Sequence, residues 1–158
     1  MTLISINLVQ IILLMISNKC YYGLCAMLVL SKREGTGPVT ISNIANYQGI
    51  PVRFLEAILR QLKLGGVAES QRGKDGGYFL ARPASRISVG EVIRLFEGPM
   101  AAFAPVSGKA EEKKPRAFVE LLETAQEALS TVYEGVSFAE LARRDDELNQ
   151  KFVENYSI

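Results

Sequence analysis

A mainly α-helical chain with one small β-hairpin is predicted by three features of the sequence. Apolar residues recur at helical spacing in six stretches, glycine and proline punctuate the gaps, and two short β-prone runs flank a glycine-rich turn. Composition sets the outer limits. The 158 residues suffice for one domain, or one domain with an oligomerisation extension, and a 48% hydrophobic fraction can fill its core. Histidine is absent, so imidazole acid–base catalysis, a histidine triad and a mixed Cys/His zinc site are all excluded. Cys20 and Cys25 are too few for a disulfide scaffold or a closed cysteine metal site.

The elements follow in order. Between Lys19 and Ser31, Tyr21, Leu24, Cys25 and Leu28 fall at i, i+3, i+4 and i+7, and Gly35 to Pro38 ends that helix. Thr40 caps a short helix over Ile41 to Gln48 with Ile41, Ile44 and Ala45 inward, and Gly49 suits the left-handed position after it. Pro51 is expected at the first position of a third helix. There Leu55, Ile58, Leu59 and Leu62 form an apolar stripe, while Arg53, Glu56, Arg60 and Lys63 form a polar one. Two short helices about a glycine turn, the second with a basic outer face, make a helix-turn-helix.

Gly65-Gly66 stops this helix, Val67 to Gln71 reads as a strand, and Tyr78 to Ala81 as its return. Asp75-Gly76 is expected to form the hairpin turn, since both residue types tolerate positive φ. A hairpin directly after a recognition helix is a wing, and its tip carries Arg72 and Lys74. Ser88 to Glu91 forms a capping box with Ile87 and Val92 as a staple, and the helix it starts ends at Gly98-Pro99. A loop-like stretch over 98–116 precedes a long amphipathic helix, roughly Glu111 to Tyr133. A second capping box, Ser137 to Glu140, starts a last helix with Leu141, Leu148 and Phe152.

The domain reading is therefore an N-terminal extension over 1–14, a winged helix-turn-helix over 15–97, a loop over 98–116 and a helical dimerisation region over 117–158. The extension is either the product of a mis-assigned start codon or an extra element packed on the body. It lacks the basic start of a signal peptide and is too short and polar for a membrane span, so a cytoplasmic protein without membrane contact is expected.

Charge agrees with a polyanion partner. Through Glu97 the chain carries 11 basic and 6 acidic residues, whereas from Gly98 onward it carries 7 and 11. Duplex DNA attracts cations at its phosphates and is read at base edges. Arg53 in the first helical turn and Glu56 one turn on are placed for bases, the latter as acceptor from a cytosine amino group. Arg60 and Lys63 suit phosphates, and Arg72 and Lys74 suit the backbone or minor groove. Lys19, Ser42 and Tyr78 complete the expected DNA-facing set. The competing reading of the stripe is a solvated helix face with Glu56 and Arg60 paired at i, i+4.

The glycines at 73, 76 and 77 match neither phosphate-loop spacing, and no nucleophile–base set is visible, so no enzyme is expected. Cys20 and Cys25 lie about 140° apart around a helix. They read as small buried hydrophobes, with redox sensing the competing role. The face of Phe118, Leu121, Leu122, Ala125, Leu129 and Val132 is surplus to a closed winged module and is assigned to homodimerisation. A protein-interaction module with an acidic helical tail is the alternative function.

These residues resemble a known family, the Rrf2 winged-helix regulators that include IscR, NsrR and CymR. The likeness lies in Ser17 to Leu24, Gly37-Pro38-Val39, Ile44-Ala45, Gln48-Gly49-Ile50 and Phe54-Leu55-Glu56. It continues in Arg72-Gly73 with Gly76-Gly77-Tyr78, Leu80 to Pro83, Ile87 to Pro99 and Ala128 to Leu141. It spans about residues 15–145. The resemblance implies a dimeric DNA-binding fold whose long C-terminal helix crosses between subunits. It also implies base contacts at Arg53 and Glu56 and a minor-groove contact at Arg72.

Two departures stand out. Cluster-binding members carry three cysteines soon after the Glu-Gly-Pro element, and Met100 to Arg116 has none. No cofactor is therefore expected, and members such as CymR, which lack a cluster and respond through a partner protein, are the nearer analogue. A regulatory protein or a small-molecule effector is the expected signal. Pro51 also stands where the family usually opens the recognition helix with a small hydroxyl residue.

Overall fold

The computed structural model describes residues 16–98 and 115–156, with side chains as far as residue 152. Six α-helices and one hairpin are present among them: α1 Asn18–Lys32, α2 Ile41–Gln48, α3 Val52–Leu64, β1 Ala68–Gln71, β2 Gly77–Leu80, α4 Val89–Glu97, α5 Arg116–Glu134 and α6 Phe138–Tyr156. A single 3-10 turn, Ala84–Arg86, links β2 to α4. The fold is mainly α and of the winged-helix type. The expected extension over 1–14 and nearly all of the expected loop over 98–116 lie outside the described residues.

α1 is the central helix, packed by α2, α3, α4, α6 and β2. This corrects the reading of its inward face. Cys20, Gly23, Ala26, Met27, Val29, Leu30 and Ser31 are buried, whereas Leu24, Cys25 and Leu28 are only half-buried and Tyr21 is exposed. A helix enclosed on several sides has no single apolar stripe, so spacing alone could not orient it. Gly23 permits a close approach of α4, since a Cβ there would run into the Phe96 ring.

The helix-turn-helix forms as its caps dictate. Thr40 Oγ1 accepts from Asn43 N at 3.2 Å, and Gly49 closes α2 at φ 63°. Losing that cap in Thr40→Ala is expected to cost about 1 kcal/mol, measurable as a lowered thermal midpoint with an unchanged helical spectrum. Pro51 corrects another expectation: it is the N-cap of α3, extended at ψ 128°, and helical residues begin at Val52. Its carbonyl accepts from Phe54 N at 3.0 Å and Leu55 N at 3.3 Å. Leu55, Ile58, Leu59 and Leu62 are all buried, each contributing roughly 1.5–3 kcal/mol of apolar burial.

In the hairpin Ala68 pairs with Leu80 and Gln71 with Gly77. The turn differs from expectation. Positive φ falls on Gly73 (115°), and neither Asp75 nor Gly76 adopts it. Gly76 N donates to Gly73 O at 3.1 Å, so Lys74 and Asp75 are central in a four-residue turn. The five residues between the strands let the chain bend earlier than a two-residue turn would. Val39 adds a one-residue third strand, exchanging two 2.8 Å hydrogen bonds with Tyr78. Gly77 makes room for it, because a Cβ there would lie 2.5 Å from Val39 O.

Ser88 caps α4 by accepting from Glu91 N at 3.0 Å, and Ile87 and Val92 are buried as a staple. Glu91 does not return to the cap, because its carboxylate pairs with Arg82. α5 begins at Arg116, with Pro115 at its N-cap, rather than at Glu111. The α5–α6 corner is strapped to the head of α4 through Val89 N to Val136 O (2.9 Å) and Phe138 N to Ile87 O (3.0 Å). Phe138 is fully buried, its carbonyl accepting from Ser31 Oγ at 3.0 Å. Lys32 reaches Asp145 at 2.5 Å and Asp146 at 2.6 Å, fixing α6 along α1. None of the residues of α5 is buried.

Candidate nucleic-acid interface

The polar stripe of α3 lies outward. Arg53, Glu56, Arg60 and Lys63 are exposed, as are Ser42 in the first turn of α2 and Lys19 in the first turn of α1. Glu56, Arg60, Lys63, Leu64 and the half-buried Tyr78 line one open groove of about 550 Å³ between α3 and the hairpin. The recognition helix and the wing therefore share a surface, which their distance in sequence did not guarantee. Lys63 is tied across it, its ammonium donating to Ser70 Oγ on β1. Arg72 and Lys74 are exposed at the turn, beyond the last ladder pair.

The distribution of ion pairs is informative. Among the described residues Lys32, Arg82, Arg94, Arg143 and Arg144 each meet a carboxylate. Lys19, Arg53, Arg60, Lys63, Arg72 and Lys74 meet none. Glu56 and Arg60 do not pair at i, i+4, so the pairing expected of a solvated face is absent, although the stripe itself is exposed. Paired cations brace the scaffold; of the ten cations that meet no carboxylate among the described residues, six lie on or beside the helix-turn-helix and wing, and Arg33, Arg86, Arg116 and Lys151 lie elsewhere. Such a field attracts a polyanion.

Sequence reasoning missed two supports of this surface. The Arg53 guanidinium lies 4.8 Å from the centre of the Phe54 ring, a cation–π contact that restricts it. Phe54 is 48% exposed. The head of α1 is also anchored: Ser17 N and Oγ both donate to Glu97 Oε1, at 2.9 and 2.6 Å. No local pattern in the sequence announced that 80-residue link.

Burial, then the negative Glu97 carboxylate, pushes the Cys20 thiol up to about 12. Burial raises Cys25 as well, against a hydrogen bond with Tyr21 that lowers it. Both thiols are protonated at neutral pH and poor nucleophiles. Iodoacetamide is expected to label both in the native protein at least tenfold more slowly than in the unfolded chain; equal rates would restore a reactive-cysteine role.

Against this geometry, a protein-family model described as "Rrf2: Iron-dependent Transcriptional regulator" matches residues 16–144. The chain belongs to the Rrf2 family. It is 32% identical over 131 residues to the HTH-type transcriptional regulator CymR of Bacillus subtilis, covering 83% of this chain and 91% of that one. IscR of Klebsiella pneumoniae is 41% identical over 78 residues, 49% of this chain and 48% of that one. Among solved structures, that of CymR, "the Global Cysteine Regulator of B. subtilis", superposes with a TM-score of 0.73, covering 82% and 96% of the two chains. T. potens IscR gives 0.68 at 30% identity, covering 84% and 89%. The chain is thus a DNA-binding transcriptional regulator of the Rrf2 family, not an enzyme.

The iron in the family's description is a separate matter. A cysteine-ligated cluster needs thiolates, and this Rrf2 chain has two cysteines and no histidine. Cys20 is buried, and both thiols favour the protonated form. The donor set does not fit a cysteine-ligated iron–sulfur cluster. Among the described residues no helix is long and apolar enough to cross a membrane.

Proposed function

We propose that this Rrf2 chain acts in the cytoplasm as a homodimeric repressor, binding operator DNA sequence-specifically without an iron–sulfur cluster. The observation that carries the reading is the set of unpaired cations on α3 and the wing, together with an uncovered apolar face on α5. In this reading Arg53 and Glu56 meet base edges in the major groove. Arg60, Lys63, Lys19 and Ser42 meet phosphates, with Tyr78 flanking the groove. Arg72 and Lys74 extend from the wing to the minor groove or backbone.

Phe118, Leu121, Leu122, Ala125, Leu129 and Val132 pair two copies, so that two recognition helices meet successive major grooves. The test is to sequence genomic fragments selected by the purified protein and titrate the best of them. A two-fold symmetric sequence is expected, with half-sites about one helical turn apart and affinity that falls steeply with salt. Placing that sequence upstream of a reporter should lower expression when the protein is present. Equal affinity for all fragments overturns sequence-specific binding; raised expression overturns repression.

A further inference from the structure

A second groove, of about 420 Å³, opens between the head of α1 and the first turns of α3. It is lined by Asn18, Lys19, Tyr22, Arg53, Phe54, Ala57 and Ile58, with no carboxylate among them. Its size falls within the range of small-molecule sites. The polar groups are an amide, a phenol and two cations, and the remainder is aromatic or aliphatic. The cations rest against rings: Lys19 Nζ lies 5.7 Å from the centre of the Phe96 ring, and Arg53 stacks on Phe54. Neither forms an ion pair among the described residues.

We infer that this groove binds a small organic carboxylate with an apolar body, and that such a ligand competes with DNA for Arg53. Charge complementarity selects the anion, since the two charged residues that line the groove are both cationic. The hydrocarbon floor selects the body: Phe54 stands exposed and Ile58 is buried beneath, whereas a bare phosphate gains nothing from either. A carboxylate satisfied by Lys19 and Arg53 lays its apolar part along Tyr22, Phe54 and Ala57. The guanidinium is then drawn off the outer face of α3. The competition rests on the proposed DNA-binding role of Arg53; the groove's affinity for the anion does not.

The experiment follows the amide NMR resonances of the full chain during titration with phenylacetate, its neutral analogue phenylacetamide, and inorganic phosphate. Phenylacetate is expected to shift Lys19, Tyr22, Arg53, Phe54 and Ala57 saturably, with both controls at least tenfold weaker. Lys19→Gln, a change at an exposed residue, should weaken phenylacetate several-fold while leaving resonances far from the groove in place. Phosphate binding as tightly as phenylacetate overturns the apolar half of the inference, and phenylacetamide doing so overturns the anionic half. Absence of localised shifts overturns both. In a parallel DNA titration, saturating phenylacetate should lower operator affinity at least tenfold. Binding of phenylacetate with operator affinity unchanged sinks the competition alone. Phenylacetate binding by a protein that selects no DNA sequence sinks the proposed function and leaves the groove standing.

Discussion

Leu121→Asp is expected to convert the protein to a monomer and to lower its affinity for a two-fold symmetric operator at least a hundredfold. The basis is the face that α5 leaves open. Phe118, Leu121 and Val132 are 64, 62 and 61% exposed, and Leu122 is 37% exposed. These residues recur on one side of a helix with none of its residues buried in the protomer. Covering each large side chain is worth roughly 1.5–3 kcal/mol, and an unpaired carboxylate in such a contact costs several more. Because the protomer buries nothing there, its fold should survive, with an unchanged helical spectrum and thermal midpoint at low concentration.

The DNA effect is an avidity effect. The second recognition helix binds at the high local concentration set by the first, which typically multiplies affinity by 10²–10⁴, and a monomer forfeits this. Light scattering on the eluting protein and an operator titration read the two consequences. A Leu121→Asp dimer of full affinity would move the interface elsewhere.

How much of this was legible in the sequence depended on how many sides each element buries. α3 was read correctly because it has one wet face and one dry face, so Leu55, Ile58, Leu59 and Leu62 announced their direction. α1 was not, because a helix packed by five neighbours loses the contrast that spacing detects. Caps were legible at Thr40, Ser88 and Ser137, where a hydroxyl meets a backbone N–H three residues on.

The reciprocal half of the Ser88 box was not legible, since Glu91 found a stronger partner in Arg82, nine residues earlier. The wing was visible as a hairpin, but its positive φ moved from Asp75-Gly76 to Gly73 once five residues spanned the turn. The positions of the candidate DNA-facing residues followed from local periodicity. Their freedom from ion pairs depended on where distant carboxylates went, as with Asp145 and Asp146 at Lys32 and Glu134 at Arg94. No local pattern carries that information.

Glu56 and Arg72 should fail in different ways when truncated. Glu56 is on the wet face of α3, one turn from its start, and is not engaged by Arg60, so its carboxylate is available to a base edge. If it accepts from a cytosine amino group, Glu56→Ala should cost about 1–3 kcal/mol on the cognate sequence. Affinity for a sequence with that one pair changed should be nearly the same as the wild type's. Arg72 follows the last residue of β1 and is exposed at the hairpin turn, where it meets no carboxylate among the described residues.

Arg72→Ala should therefore weaken all sequences more evenly, by roughly tenfold, and flatten the salt dependence by about one ion released per protomer. Titrating both variants against the selected operator and its single-pair variants at several salt concentrations separates the roles. Should Glu56→Ala lose affinity evenly while Arg72→Ala changes the preferred base, the wing, rather than the helix, would be reading sequence. The groove between them would then serve only to set the angle at which the wing enters.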